Sequence, residues 1–493
     1  MKSGGGRTMD SGLNYIGGAW VGSENDDWSV NVNPARPGHE LGRVARSTAG
    51  DVRRALEAAD TAFPAWKELP GAQRGAFLRK AADLMEQRAE RIARTMTEEM
   101  GKTLPESRGE VQRGAAILRY YAGEGERASG EVIPAQDGKS LLYTKRIPLG
   151  AVGLVTPWNF PVAIPLWKLA PALAYGNTAV LKPASNASLT ACAIVEALAD
   201  AGLPGGVVNL VHGSGAVVGD ALLADPRTRG VSFTGSNAVG REIAVKAAQR
   251  GIKAQLEMGG KNAVIVMEDA DLAKAADLVV SGAMKSTGQK CTATSKAIVM
   301  KPVAERFTAL LLERIRAIRP GDGLEPDTYF GPAATSAQQQ SVLEHIRTGL
   351  SEGAKLLAGS PEAPPGEGYY VEPALFAGVT PDMALAREEI FGPVLAVMEA
   401  DDLDQAIRWA NETEYGLSAA IFTNSLAHAM KFVDRVEAGM IKVNAETAGV
   451  EYQAPFGGLK RSSSHSREQG RAAMDFFTHI QTVSISLQQE ANR

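Results

Sequence analysis

Between residues 151 and 267, short β-branched runs alternate with stretches of helical period, and no other feature restricts the fold of this chain so much. "AVGLV" (151–155), "TAVLK" (178–182), "VVNLV" (207–211), "VSFT" (231–234) and "KAQLE" (253–257) read as strands. The intervals between them, such as "NASLTACAIVEALADAG", repeat apolar residues every three or four positions. This alternation implies a parallel, doubly wound α/β sheet, in which ligands sit at the carboxyl ends of the strands. A second α/β region starts near residue 262 with "NAVIVM" and runs to about 456. With 493 residues the chain exceeds one ordinary core, so two or three domains are expected.

Upstream, residues 51–68 put Val52, Ala55, Leu56, Ala59, Phe63 and Trp66 on one helical face, with Asp51 as its cap. A longer amphipathic stretch runs from about Gln73 to Met100. Two strand candidates stand apart from the sheets: "SLLYTKRIP" (140–148) and "TVSISL" (482–487), where Val483, Ile485 and Leu487 alternate with polar residues. Together they point to a small β arm, paired across a subunit boundary. The opening "MKSGGGRTMD" lacks an apolar signal core and reads as a flexible leader.

Composition narrows the function classes. Hydrophobic residues make up 44% and charged residues 22%, as in a soluble globular protein. A net charge of -4, with basic residues spread along the chain, leaves no footprint for nucleic acid. No apolar run approaches the roughly 20 residues that span a bilayer. Two cysteines supply no disulfide framework and fit a reducing cytoplasm. The six histidines, at 39, 212, 345, 428, 465 and 479, form no metal-binding spacing, so no metal site is expected.

Cys192 lies in a helical pattern with Leu189, Val195 and Ala199 and reads as core. Cys291, in "STGQKCTATSK", is set among small polar residues with Gly288 three positions before it. It is either a small buried hydrophobe or a nucleophile. A nucleophilic thiol needs a base, and Glu257 ends a strand and enters "EMGGK" (257–261), although an isolated E-x-G-G is usually a solvated turn. "TPWNFP" (156–161) holds Asn159 between two prolines, either as an Asx-turn or as a donor to a developing oxyanion. "FTGSNAVG" (233–240) sets Gly235 and Ser236 at a strand-to-helix junction, where a pyrophosphate meets a helix N-terminus; it is not G-x-G-x-x-G. Lys182 in "LKPAS" closes a strand in reach of ribose hydroxyls or a phosphate. "EEIFGP" (388–393), Asn444 and "PFGG" (455–458) complete the set. Singly each motif has a bland explanation; jointly they do not.

In order and spacing these motifs resemble the NAD(P)-dependent aldehyde dehydrogenase superfamily over nearly the whole chain. The resemblance implies an α/β fold with a doubly wound cofactor-binding domain (1–125 and 148–258), an α/β catalytic domain (259–456) and a small β oligomerisation arm (126–147 and 470–493). It implies Cys291 as nucleophile, Glu257 as general base, and Asn159 with the Cys291 backbone N–H as oxyanion hole. Lys182 would bind the adenosine ribose, and Ser236 the pyrophosphate. Glu389 would hold the nicotinamide ribose, with Phe391 against the cofactor, while Trp158 and Lys168 shape the cofactor and substrate region. A homodimer or homotetramer follows from the same resemblance. The presence of Glu257 favours hydrolysis of the acyl-enzyme over transfer to coenzyme A.

Where NAD-preferring relatives often carry Glu after "KPA", this chain has Ser185, which removes a repulsion from a 2'-phosphate. NADP is therefore expected to be accepted, with NAD also used. "GQKCTATS" and "PFGGLKRSSSHSREQG" (455–470) resemble α-ketoglutaric semialdehyde dehydrogenases, whereas most of the superfamily has K-x-S-G after "PFGG". Succinate-semialdehyde dehydrogenases commonly place an Arg where this chain has Trp167 before Lys168. Arg119, Lys285, Lys290 and Arg461 are the candidate cations for a substrate carboxylate. A broad-specificity aldehyde dehydrogenase and a non-catalytic binding protein on the same scaffold are the alternatives.

Overall fold

The computed structural model describes residues 11–127 and 129–486, so the leader and Leu487 lie outside the described residues. Four helices build the first layer: α1 (Ala49–Glu68), α2 (Gly71–Gln87), α3 (Ala89–Met100) and α4 (Leu104–Glu124). Asp51 is not the cap of α1. Thr48 is, accepting from the backbone N–H groups of Gly50 and Asp51, while the Asp51 carboxylate reaches back to the Thr48 N–H at 2.8 Å. This is a capping box, with the acidic residue at its third position. The stretch from Gln73 to Met100 is two helices rather than one, broken at Arg88. Its apolar period (Leu78, Ala82, Met85, Ile92, Met96) runs straight through the break, so the pattern alone does not reveal it.

The five strands read from the sequence form the parallel heart of a seven-stranded sheet. Their spatial order is Lys253–Glu257, Thr228–Thr234, Ala151–Val155, Thr178–Lys182 and Val208–Leu210, the last shorter than the run 207–211. A hairpin, Asn14–Ile16 with Ala19–Val21, closes the far edge antiparallel. Winding starts at Ala151–Val155, moves one way to Thr178–Lys182 and Val208–Leu210, then resumes on its other side at Thr228–Thr234. The crevice at this reversal lies between the segments that follow Val155 and Thr234. Helix α5 (Ala163–Ala174) leaves that crevice, and every one of its residues is buried, as befits a helix packed between the sheet and α4.

The second sheet is also seven-stranded: Lys355–Ala358, Ala374–Ala377, Val394–Ala400, Thr294–Met300, Asn262–Val266, Ser418–Phe422 and Met440–Val443. All its pairings are parallel except that of the first strand. The chain passes from one sheet to the other between Glu257 and Asn262. The two isolated strands of the sequence, Leu141–Pro148 and Thr478–Ile485, pair with each other within this chain. Their antiparallel ladder runs from Pro148↔Thr478 to Leu141↔Ile485, and Val132–Ile133 adds a third strand. Alternation identified both strands but could not name their partner, because a half-buried strand records only which face is apolar. Among the described residues no helix is long and apolar enough to cross a membrane.

Candidate active site

A cleft of about 820 Å³, counted to its open mouth, lies between the two large sheets. Pro157, Trp158, Asn159, Thr234, Gly235, Ser236, Met258 and Gly259 line one side, all at or just after the carboxyl ends of strands of the first sheet. Cys291, Glu389, Ile390 and Phe391 line the other, all from segments that precede strands of the second. The first sheet thus offers its carboxyl edge and the second its amino edge. Of the residues singled out in the sequence, Trp158, Asn159, Gly235, Ser236, Cys291, Glu389 and Phe391 meet here.

Cys291 is presented by a strained loop. Ser286, Thr287 and Gly288 have φ of 55°, 59° and 66°, three consecutive left-handed residues. Two of them are not glycine, at a cost of order 1–3 kcal/mol each. Hydrogen bonds offset the strain: Ser286 donates its N–H and hydroxyl to Glu106, at 2.8 and 2.9 Å, and Thr287 donates to the Gly331 carbonyl. Gly288 admits no substitution, since a Cβ would stand 2.2 Å from the Gly392 carbonyl oxygen. Beyond the loop, the Asn262 amide donates to the carbonyls of Cys291 and Ala293, both at 2.8 Å. Burial, then the charges of Glu389 and Glu257, push the Cys291 thiol up to about 12.

Asn159 donates one amide N–H to the Gln289 carbonyl at 3.0 Å, which fixes its nitrogen toward the Cys291 loop and leaves it a second N–H to give. Its own carbonyl accepts from Lys102 at 2.9 Å; that ammonium also pairs with Glu110 and lies over the Phe160 ring. Glu110 takes the N–H groups of Val162 and Ala163 as well, so one buried carboxylate holds the turn that carries Asn159.

Glu257 closes its strand just behind the cleft wall. One carboxylate oxygen accepts from the Ser463 hydroxyl, and the other is buried with no partner. Burial, reinforced by Glu468, raises its pKa well above the usual carboxylate range, against the pull of Ser463, Lys168 and Arg467. Lys168 does not reach the cleft. It is fully buried, ion-paired with Glu468, and bonded to Ser232 at 2.7 Å. Its predicted place in the catalytic set becomes a place behind Glu257. Glu389 accepts from the Gly260 N–H at 2.9 Å at the cleft wall, and burial pushes its carboxyl up to about 7. A Cβ on Gly259 would stand 2.1 Å from that carboxylate. Phe391 meets Trp158 edge to face at 5.5 Å.

Lys182 and Ser185 stand outside the cleft, where the neighbouring strand ends. Lys182 is buried, donates to the Pro183 carbonyl at 2.6 Å, and is lowered to about 8 by desolvation, while Ser185 is exposed. The four proposed carboxylate-binding cations are absent from the cleft lining. Arg119 pairs with Asp83 and Glu86, Arg461 with Glu414, Lys285 is exposed, and Lys290 turns to a separate small pocket beside Gly260. Asn444 holds the Thr423 backbone instead of lining the cleft. Cys192 is in hydrogen-bond range of His212 and of the Leu13 carbonyl, in keeping with its reading as core.

The cleft fits a dinucleotide. Thr156, Thr234 and Asn237 each bury a side-chain oxygen with no partner, and the helix Asn237–Arg250 begins at Ser236 without any side-chain cap. Its first N–H groups are therefore left for an anion. Among the described residues no cluster of three or more His, Cys, Asp or Glu is arranged to hold a metal ion.

A cleft at the switch point of such a sheet, beside a helix N-terminus without a side-chain cap, is the arrangement of a dinucleotide-dependent dehydrogenase. The chain belongs to the aldehyde dehydrogenase family, which it matches over residues 20–483. It is 53% identical over 476 residues to the α-ketoglutaric semialdehyde dehydrogenase of Bacillus subtilis (strain 168), covering 96% of this chain and 98% of the relative. The fold matches the crystal structure of an NAD-dependent aldehyde dehydrogenase from Sinorhizobium meliloti with a TM-score of 0.95 at 35% identity, covering 99% and 97% of the two chains. It matches an E. coli NADP dependent enzyme with a TM-score of 0.94 at 34% identity, covering 97% and 99%.

Proposed function

We propose that the protein oxidises a short semialdehyde acid, such as α-ketoglutaric semialdehyde, to the dicarboxylic acid with NADP or NAD, and that Cys291, Asn159 and Glu257 do the chemistry. The observation that carries this reading is the meeting of Cys291 and Asn159 in one cleft with Glu257 directly behind it. Cys291 Sγ attacks the aldehyde carbon as the thiolate, its S–H proton released to solvent. The second N–H of Asn159 and the Cys291 backbone N–H take the oxyanion, a donor pair that acts in a preorganised, water-poor wall. The bound nicotinamide supplies the acceptor for the hydride that leaves this carbon. Glu257 then takes a proton from water as the water adds to the thioester, and the acid departs as the thiol is restored. Ser236 and the helix N-terminus behind it hold the pyrophosphate, Glu389 and Phe391 the nicotinamide half, and Lys182 and Ser185 the adenosine half.

The relatives named for α-ketoglutaric semialdehyde support the substrate. So does Arg113, a residue not singled out in the sequence. It lies one helical turn after Glu110 in α4, half-buried, with Glu451, Glu110 and Tyr452 as its electrostatic neighbours and desolvation lowering its pKa. Among the described residues no carboxylate forms an ion pair with it, and it stands on the helix whose Glu110 holds the turn after Asn159, so its charge is open to a substrate carboxylate. The exposed Ser185, with no carboxylate in its place, supports use of NADP beside NAD.

Initial rates with α-ketoglutaric semialdehyde, succinic semialdehyde and an uncharged aldehyde of similar length, each with NAD and NADP, test the reading. A large kcat/KM advantage for the keto acid, lost in Arg113→Gln, is expected. Equal values for the uncharged aldehyde would leave a general aldehyde dehydrogenase.

A further inference from the structure

The segment 462–464 runs as a short antiparallel strip against the end of the strand that carries Glu257. Met258 donates its N–H to the Ser462 carbonyl at 2.7 Å, and Ser464 donates to the Leu256 carbonyl at 2.8 Å. Glu257 and Ser463 are thereby directly opposed, and opposed residues project to the same face. Two hydrogen bonds meet on the Ser463 oxygen. The Gly458 N–H donates to it at 2.6 Å, and its own proton goes to one oxygen of Glu257. A hydroxyl has a single proton, and no other acceptor for it is found among the described residues. The bond therefore has a direction: Gly458 to Ser463 to Glu257. The Glu257 oxygen so engaged is held as an acceptor, and the other, buried and partnerless, is the one left to take a proton.

We propose that Ser463 is a positioning residue for acyl-enzyme hydrolysis: its backbone-directed hydroxyl locks the Glu257 carboxylate in one orientation and reserves the opposite oxygen as the base. The inference rests on Glu257 being the base. In the step served, water adds its oxygen to the thioester carbon and gives one proton to the reserved oxygen. The C–S bond breaks, and that proton passes to the Cys291 thiolate. Glu468, Lys168, Arg467 and Cys291 are the other ionisable groups whose charges act on or feel Glu257. Glu468 raises it, whereas Lys168, Arg467 and the Ser463 bond favour its ionised form. Removing the Ser463 hydroxyl leaves the raising contributions less opposed, so the base ionises at higher pH.

The test is quenched single-turnover kinetics of the full-length enzyme, reading cofactor reduction and acid release separately from pH 6 to 10, in the wild type, Ser463→Ala and Ser463→Thr. Ser463→Ala is expected to keep the rate of cofactor reduction. Its acid release at pH 7 should fall about tenfold, with the acid limb of that step moved up by about one pH unit. Ser463→Thr, which keeps the hydroxyl, should restore both. Acid release in Ser463→Ala with the wild-type rate and pH profile overturns the proposal. So does an equal loss in the Ala and Thr variants without a change of profile, which marks a packing role. Glu257→Gln separates the two readings. If it abolishes acid release while Ser463→Ala is normal, only the role of Ser463 fails; if it leaves acid release intact, the base assignment fails and this inference with it.

Discussion

Glu389→Gln should accelerate alkylation of Cys291 in the cofactor-free enzyme, and only above neutral pH. The thiol is pushed up to about 12, first by burial, then by the charges of Glu389 and Glu257. At pH 8 about one thiol in 10⁴ is then ionised, and because the thiolate is the reacting form, the rate should climb about tenfold per pH unit from 7 to 10 without levelling. An unperturbed thiol would level off near pH 9. Glu389 is itself pushed up to about 7 by burial, so it is charged at pH 9 and mostly neutral at pH 6. A like charge nearby is worth about 1–3 pKa units, so replacing it raises the rate at pH 9 by about tenfold or more. At pH 6 the two enzymes should converge. Iodoacetamide labelling in a Cys192→Ser background, followed by intact mass, gives the rate of the single remaining thiol. A plateau below pH 9, or a variant-to-wild-type ratio equal at pH 6 and 9, would refute the electrostatic account of the cleft.

Three further outcomes can be checked directly. Asn159→Ala removes the proposed oxyanion donor and should lower kcat by about 10²–10³-fold while the Cys291 alkylation rate stays within about twofold. His212 is fully buried and lowered to about 3 by desolvation, so the unfolded chain gains its proton first as pH falls below about 6.5. That contribution is intact above pH 6.5 and costs about 2 kcal/mol by pH 5; urea midpoints at pH 7.5 and 5 should differ less in His212→Asn than in the wild type. Lys168→Met leaves Glu468 buried without its cation and should destabilise the fold by about 3–5 kcal/mol, with Lys168→Met/Glu468→Leu recovering much of the loss in the same unfolding assay.

The sheets were legible because parallel strands covered on both faces read as short continuous apolar runs: "TAVLK" and "NAVIV" sit where those runs place them. What failed was partner choice and junctions. Arg88 breaks a helix whose apolar period never falters, and no alternation along 478–485 names 141–148 as its partner. In the site, the residues legible in the sequence are those that follow or precede strands beside glycine or proline, such as Asn159, Ser236 and Phe391. The supporting shell was not. Lys168 and Glu468 are 300 residues apart, and Lys102 and Asn159 are 57 apart. No local pattern announces such pairs, since each partner alone looks like an ordinary charge. The surface arginines named for a carboxylate failed for the converse reason: Arg119 and Arg461 already have acidic partners close by in space.

The cleft is walled by the carboxyl edge of one sheet and the amino edge of the other, and only residues 258–261 carry the chain between the strands that end at Glu257 and begin at Asn262. Glu257 and Cys291 therefore sit on different sheets, joined in sequence by a short span that includes two glycines. The distance between them is set by how the two bodies lean on each other across bonds such as Asn159 to Gln289 and Ser286 to Glu106. A substitution at the seam, far from both side chains, would then spare stability and spoil turnover. Screens that score folding alone would pass such variants as silent.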